Sequence, residues 1–332
     1  MAPLISIVLP FYNAEDTLAC AIDSILNQTH ENFQLILVDD GSTDGGPSIA
    51  RGSATRDSRV QVVSGPHQGI VPALRRGCSA AAGEFIARMD ADDVSLPDRL
   101  AAQAELVIQD QGIALCGTLV RIVGDGVASG RRRYEEWING LVHSEDIERE
   151  LFVECPIPHP TFMMRRSAYE ALGGYEDHGW AEDYDLVMRA SLAGMKMAKA
   201  PRVLLDWSHR GARLSMNDDR YSVERFRALK RHYLFESYLS GREVFYQWGA
   251  GEVGKPWLRE WGPRRPTAVV DINPRKIGRE IHGIPVISPD ELPGPGEMFT
   301  VVAVGTPGAR DEIRAWFASR GCAELRDFIF VA

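Results

Sequence analysis

Cysteine is sparse and scattered in this chain of 332 residues: Cys20, Cys78, Cys116, Cys155 and Cys322, with no CxxC pair. An odd number at irregular spacing suggests neither a disulfide framework nor a zinc site, and it fits a reducing, cytoplasmic compartment. Long apolar runs are lacking too. None approaches the roughly 20 residues of a membrane span. The opening "MAPLISIVLPFYN" has no basic segment ahead of its apolar one, so it is read as a strand and not a signal peptide. Peripheral contact at the inner face of a membrane stays open, as does a homo-oligomer. A basic excess is also missing: 37 Lys and Arg stand against 46 Asp and Glu, a formal net charge of −9. That balance argues against a general nucleic-acid binder. The cations that cluster, Arg131 to Arg133 and Arg165–Arg166, read as solvated surface.

What is present is an alternation of strand-like and helix-like segments. "LISIVLPFY" and "FQLILVDD" are short β-branched apolar runs of the kind buried on both faces, and "AEDTLACAIDSILNQ" between them has apolar residues at helical spacing. "RVQVVSG", "GIVPALRRGCSAA" and "EFIARMD" continue the alternation, which predicts a mostly parallel sheet sandwiched by helices. Ligands of such sheets bind outside the carboxyl ends of the strands. Asp39, Asp40, Asp90 and Asp92 therefore fall on one rim. The stretch from about 125 to 160 is expected to hold loops and a helix over 144–153, and "EDYDLVMRASLAG" a helix with acids in its first turn. A long amphipathic helix over 217–240 reads as a connector between a domain at 1–216 and a smaller Rossmann-like α/β unit at 241–332.

Asp90-Ala-Asp92 places two carboxylates on one side of an extended strand end, an arrangement that suits a hard cation such as Mn²⁺ or Mg²⁺. Asp93 and Asp98 are assigned to the turn and to the cap of the next helix. In the smaller unit "GAGEVG" opens a helix after a strand, and Asp271 ends the next strand. Gly249, Gly251, Gly254 and Asp271 thus form a candidate second nucleotide site, beside the competing and favoured reading of a fold kept for packing or dimerisation.

Taken in order, "SIVLPFYNAEDTLACAIDSILNQTHENFQLILVDDGSTD", "GEFIARMDADDVSLPDRL" and "GWAEDYDLVMRASLAG" resemble glycosyltransferase family 2 with its GT-A fold, over about residues 4–210. The resemblance implies a divalent-metal-dependent, inverting transfer of a sugar from a nucleotide-diphosphate donor. Uracil is the expected base, and the acceptor is a glycan or lipid-linked saccharide of the bacterial cell surface. It implies that Asp40 accepts hydrogen bonds from the donor's base and that Pro10, Phe11 and Tyr12 line the nucleotide pocket. Asp90 then approaches ribose or metal, Asp92 holds the metal, and Asp183 is the catalytic base. Glu182, His159 and Trp180 become accessory or acceptor-side residues. His209 becomes a metal or diphosphate contact, with Arg213 and Ser215 near the phosphate. The run "VVDINPRKIGREIHGIPVISPDEL" resembles small Rossmann-like units attached to sugar acyltransferases and some methyltransferases. The alternatives are a nucleotide-sugar-binding regulatory protein with a decayed site, and an NAD-dependent oxidoreductase using "GAGEVG".

Overall fold

The structure is a computed structural model that describes residues 2–124, 126–209 and 218–332. Contacts divide the chain into two compact units, Met1–Ile147 with Pro156–Tyr221, and Glu148–Cys155 with Ser222–Ala332. Among the described residues no helix is long and apolar enough to cross a membrane.

The first unit carries an eight-stranded mixed sheet. Its strands are β1 (Ile5–Phe11), β2 (Phe33–Asp39), β3 (Val60–Ser64), β4 (Phe85–Arg88), β5 (Val94–Ser95), β6 (Ile113–Val123), β7 (Met163–Arg165) and β8 (Lys196–Ser208). Their order is β3-β2-β1-β4-β7-β6-β8-β5. The first four pair in parallel, β7 runs antiparallel between β4 and β6, β6 pairs β8 in parallel, and β5 closes the edge antiparallel. The alternation of β1 divides its side chains between two faces. Ile5, Ile7, Leu9 and Phe11 enter one hydrophobic core with Leu18, Ile22 and Ile25 of the helix Leu18–Leu26. Val8 faces Gly77 of the helix Ile70–Ser79 on the other side. Phe11 pairs with Asp39 in the register, so the ends of β1 and β2 open side by side, and β4 ends on the other flank of β1.

The segment between β6 and β7 holds two α-helices. The helix Ser144–Glu150 matches the expectation in place, but a further helix, Ser129–Gly140, occupies what reads as loop. Tyr134, Trp137 and Ile138 give it an apolar stripe against the core. Its Asn139 bonds both backbone groups of Val120, and Glu135 takes the Ile122 N–H, so helix side chains satisfy strand backbone. Buried Lys199 donates to the carbonyls of Pro156 and Ile138 and ties two points of this segment to β8. Arg165 is not a surface cation: its guanidinium donates to the carbonyls of Ile113 and Val107.

The second unit has strands β9 (Tyr246–Trp248), β10 (Ala268–Val270), β11 (Glu280–Ile281), β12 (Ile284–Ile287), β13 (Thr300–Val302) and β14 (Phe328–Phe330) in the order β11-β12-β10-β9-β13-β14. All pairings are parallel except β11 with β12. The order reverses at β9, the doubly wound pattern. Trp248, Val270, Val302, Phe317, Phe328 and Phe330 lie in its core. The helix expected as a connector is Val223–Glu236, with Ser222 accepting from the Arg225 N–H at its start, and it falls within this unit, as does 148–155.

Candidate active site

The rim at the carboxyl ends of β1, β2 and β4 carries Tyr12, Asp39, Asp40, Asp90 and Asp92 of the predicted residues. After β2, Asp40 is 4% exposed and accepts from the Gly69 N–H at 2.8 Å, the Arg76 guanidinium at 2.6 Å and His67 Nδ1 at 2.9 Å. Its oxygens are thus committed to the helix Ile70–Ser79 and the loop that precedes it. Asp39 beside it takes the Ser42 N–H at 2.9 Å on one oxygen only, among the described residues. Tyr12, just past β1, is 46% exposed and stacks on His67 with ring centroids 3.9 Å apart. Phe11 lies in the core and Pro10 is buried, so of the three residues read as a pocket lining only Tyr12 offers a ring to solvent.

After β4, Asp90, Asp92 and Asp93 bring carboxylate oxygens within 4.8 Å of one another. Asp93 is buried and accepts from the Ser208 N–H at 2.8 Å, which ties this turn to the end of β8. Asp98 does not cap the next helix with its side chain; it pairs with Arg202 at 2.7 Å and Thr29 at 3.2 Å. Buried Arg88 pairs with Asp90. Burial alone would lower its basicity, but the Asp90 carboxylate more than offsets that and holds it raised. Arg99, wholly buried, donates to the carbonyls of Arg88 (3.1 Å) and Pro160 (2.6 Å) and fixes the acidic turn against the segment that carries His159. His209 follows Ser208 with its N–H on the Val123 carbonyl; it is not among the three carboxylates that converge. Arg213 and Ser215 lie outside the described residues.

A second cluster begins at the helix Glu182–Leu192. Glu182 is 1% exposed, and the Tyr221 hydroxyl donates to its two oxygens at 2.9 and 3.1 Å. Arg220 stands 3.9 Å away. Burial, then the adjacent Asp183 charge, pushes the Glu182 carboxyl up to about 7. His159 Nδ1 lies 3.7 Å from Glu182 and 3.9 Å from Asp183, while its Nε2 meets the Tyr175 hydroxyl at 2.8 Å. Burial, then Arg88, holds His159 well below the usual histidine range, so the ring is neutral. Arg99 bonds the carbonyls of both Arg88 and Pro160, and the Arg88 N–H bonds the Phe162 carbonyl, so the strand end before Asp90 lies against the segment that carries His159. Asp183 is the more open acid, with 20% of its side chain exposed. Trp180 is half-buried and donates from Nε1 to Asp185 at 2.8 Å, a carboxylate also held by Arg189.

In the second unit the glycine-rich turn closes on itself. A Cβ on Gly249 would sit 2.5 Å from the Ala303 carbonyl oxygen, and one on Gly254 only 2.0 Å from the Gly249 carbonyl oxygen, so both glycines serve a close approach of backbone. Asp271 takes the Ala250 N–H at 3.2 Å, the Asn273 N–H at 2.8 Å and the Lys276 ammonium at 2.8 Å. Around Gly251 there is open space.

Arg88, His67, Arg76, Tyr221 and Arg220 are contributors that the motifs did not single out. Arg88 alone carried a signal, since it stands two residues before Asp90 on the same strand face.

Comparison with known proteins fits this geometry. The family described as "Glycosyl transferase family 2" matches residues 6–173. An uncharacterized glycosyltransferase of Haemophilus influenzae is 30% identical over 236 residues, covering 69% of this chain and 72% of that protein. Among solved structures, S. aureus TarS 1-349 in complex with UDP-GlcNAc superposes with a TM-score of 0.55 at 19% identity, over 70% of this chain and 66% of that one. The mannosyltransferase PcManGT from Pyrobaculum calidifontis, in complex with GDP-Man and Mn²⁺, gives 0.51 at 19% identity, over 73% and 64%. The two structural likenesses speak for the fold, a GT-A sheet. The family match and the Haemophilus relative go further: the chain belongs to glycosyltransferase family 2 and is a glycosyltransferase.

Proposed function

We propose that this enzyme moves a sugar, with inversion and with Mn²⁺ or Mg²⁺, from a nucleoside-diphosphate donor to a glycan or lipid-linked saccharide acceptor. A UDP-sugar is the preferred donor, and the setting is surface-polysaccharide synthesis at the cytoplasmic face of the membrane. The observation that carries the reading is the presence of two acidic groups on adjoining segments: three convergent carboxylates after β4, and the Glu182–Asp183 pair beside His159, with Arg99 bonding the carbonyls of Arg88 and Pro160.

The first cluster offers oxygen ligands only, which suits a hard divalent cation. Asp92 would hold it, with Asp90 and Asp93 beside it. The ion, when bound, offsets the charge that develops on the leaving diphosphate. Arg88 keeps Asp90 in place and partly neutralises it. For the nucleoside, the exposed Tyr12 ring offers a stacking face, and Asp39 or Asp40 the acceptor for a base N–H. Asp39 is the stronger candidate of the two, because Asp40 is committed to Arg76 and His67.

The second cluster supports an assignment of acid–base roles by environment. Glu182 is buried and shares the field of Asp183, so its carboxyl, raised to about 7, keeps its proton well above the ordinary carboxylate range. Two adjacent carboxylates cannot easily both ionise, and a proton on Glu182 leaves Asp183 as the anion. An inverting displacement needs one such base to take the acceptor hydroxyl's proton. His159, neutral and held by Tyr175, stands beside the pair without adding charge.

The test is Asp183→Asn. Nucleoside-diphosphate binding is expected to persist within about twofold, while sugar transfer falls by about 10²-fold or more. Transfer at the wild-type rate would remove Asp183 as the base.

A further inference from the structure

The second unit holds a cavity of about 570 Å³ whose walls are strongly cationic. Five of its eight lining residues are Lys255, Arg259, Arg275, Lys276 and Arg279, and Glu280 is the one carboxylate. This is a pronounced local excess in a chain whose net charge is −9. Lys276 is committed, because its ammonium bonds Asp271 at 2.8 Å and the Ala250 carbonyl at 3.1 Å. The other four are exposed and, among the described residues, make no ion pair within 4.0 Å. They come from two separate places, the helix Gly254–Glu260 and the turn that follows β10, so the fold and not a sequence run brings them together.

We infer that this cavity binds a diphosphate group, and that it, not the glycine-rich turn, is the ligand site of the second unit. The turn's own groups are spent internally: Asp271, which a dinucleotide fold would leave for a ribose, already holds Ala250, Asn273 and Lys276. Four like charges around one concavity repel one another until an anion neutralises them. A single carboxylate brings one charge, whereas a diphosphate ester brings about −3, one charge on its internal phosphate and about −1.5 to −2 on the terminal one, which comes close to balancing the four cations. The volume lies within the range of small-molecule sites. The uncharged or weakly basic remainder of the lining, Ile281 and His282, includes no Phe, Tyr or Trp. It lacks the aromatic platform of a single-stranded nucleic-acid groove. The diphosphate could belong to a free nucleotide or to a lipid headgroup, and the two sources present the same chemistry to these residues.

The test uses the full chain in EDTA, which silences the metal-dependent site, with inorganic pyrophosphate, UDP and phosphatidylcholine vesicles carrying a prenyl diphosphate as probes. The comparison is with the Arg275→Ala/Arg279→Ala double variant, whose altered side chains are both exposed. Saturable pyrophosphate binding is expected, weakening as salt rises and at least about tenfold weaker in the double variant. Tighter UDP binding with the same dependence would identify a free nucleotide as the source. Tighter vesicle binding would identify a lipid headgroup. Absence of pyrophosphate binding, or binding unchanged in the double variant, would overturn the inference. Mn²⁺-dependent donor binding to the first unit should be the same in both proteins, so the outcome is independent of the transferase reading.

Discussion

Replacing Glu182 by Gln should remove a loss of stability that accompanies rising pH. The side chain is 1% exposed, and burial together with Asp183 moves its carboxyl from the ordinary 4.5 to about 7. A carboxyl raised in the folded protein binds its proton more tightly there than in the unfolded chain. Between pH 4.5 and about 7 the folded state therefore holds more protons, and stability falls as pH rises through that window. At about 1.4 kcal/mol for each tenfold change in proton affinity, the loss amounts to roughly 3 kcal/mol by pH 8. Glutamine keeps the shape, still accepts the Tyr221 hydroxyl and cannot ionise. Urea unfolding of wild type and Glu182→Gln from about pH 5 to 8, followed in the first unit, should show the two curves diverging as pH rises; buried neutral His159 adds a stability that grows with pH in both proteins and cancels in the difference. The difference should change in the variant's favour by roughly 2–3 kcal/mol across the range. Parallel curves would refute a protonated Glu182, and with it the assignment of Asp183 as the charged member of the pair.

Gly254→Ala should destabilise the second unit by about 3 kcal/mol or more, since its Cβ would meet backbone at 2.0 Å; two-transition unfolding should show the first unit unmoved. Lys199→Met should cost about 2 kcal/mol by denaturant unfolding, because it leaves the buried carbonyls of Pro156 and Ile138 without their shared donor. Tyr12→Ala should weaken nucleoside-diphosphate binding about tenfold and leave the affinity for inorganic pyrophosphate alone, as loss of a stacking face would.

Much of the first unit was legible because its strands are short apolar runs ending in polar residues, and parallel pairing then puts those ends on one rim. Asp39, Asp90 and Asp92 need only that rule to be brought together. What the pattern could not supply is the direction of individual side chains. Phe11 turns into the core by the alternation of β1, and Asp40 is drawn away by Arg76 and His67, partners set 36 and 27 residues further along the chain. The helix Ser129–Gly140 was obscured by "RRRY", which hid the Tyr134, Trp137 and Ile138 stripe in a polar context. Tyr221 and Arg220 reach Glu182 from across 39 and 38 residues, through a tertiary contact that no local spacing encodes. Asp98 precedes a helix as a cap would, yet Arg202 from β8 competes for its carboxylate and takes it.

The most direct test of the central claim is calorimetric titration of UDP, GDP and dTDP into the Arg275→Ala/Arg279→Ala protein, which lacks the second unit's cationic site, and into the same protein carrying Asp92→Asn, each with and without Mn²⁺. Binding of one nucleoside diphosphate that requires Mn²⁺, and that falls by at least about tenfold in Asp92→Asn, is the predicted result. Binding of equal strength in both proteins, indifferent to Mn²⁺, would contradict a metal-held diphosphate at the end of β4.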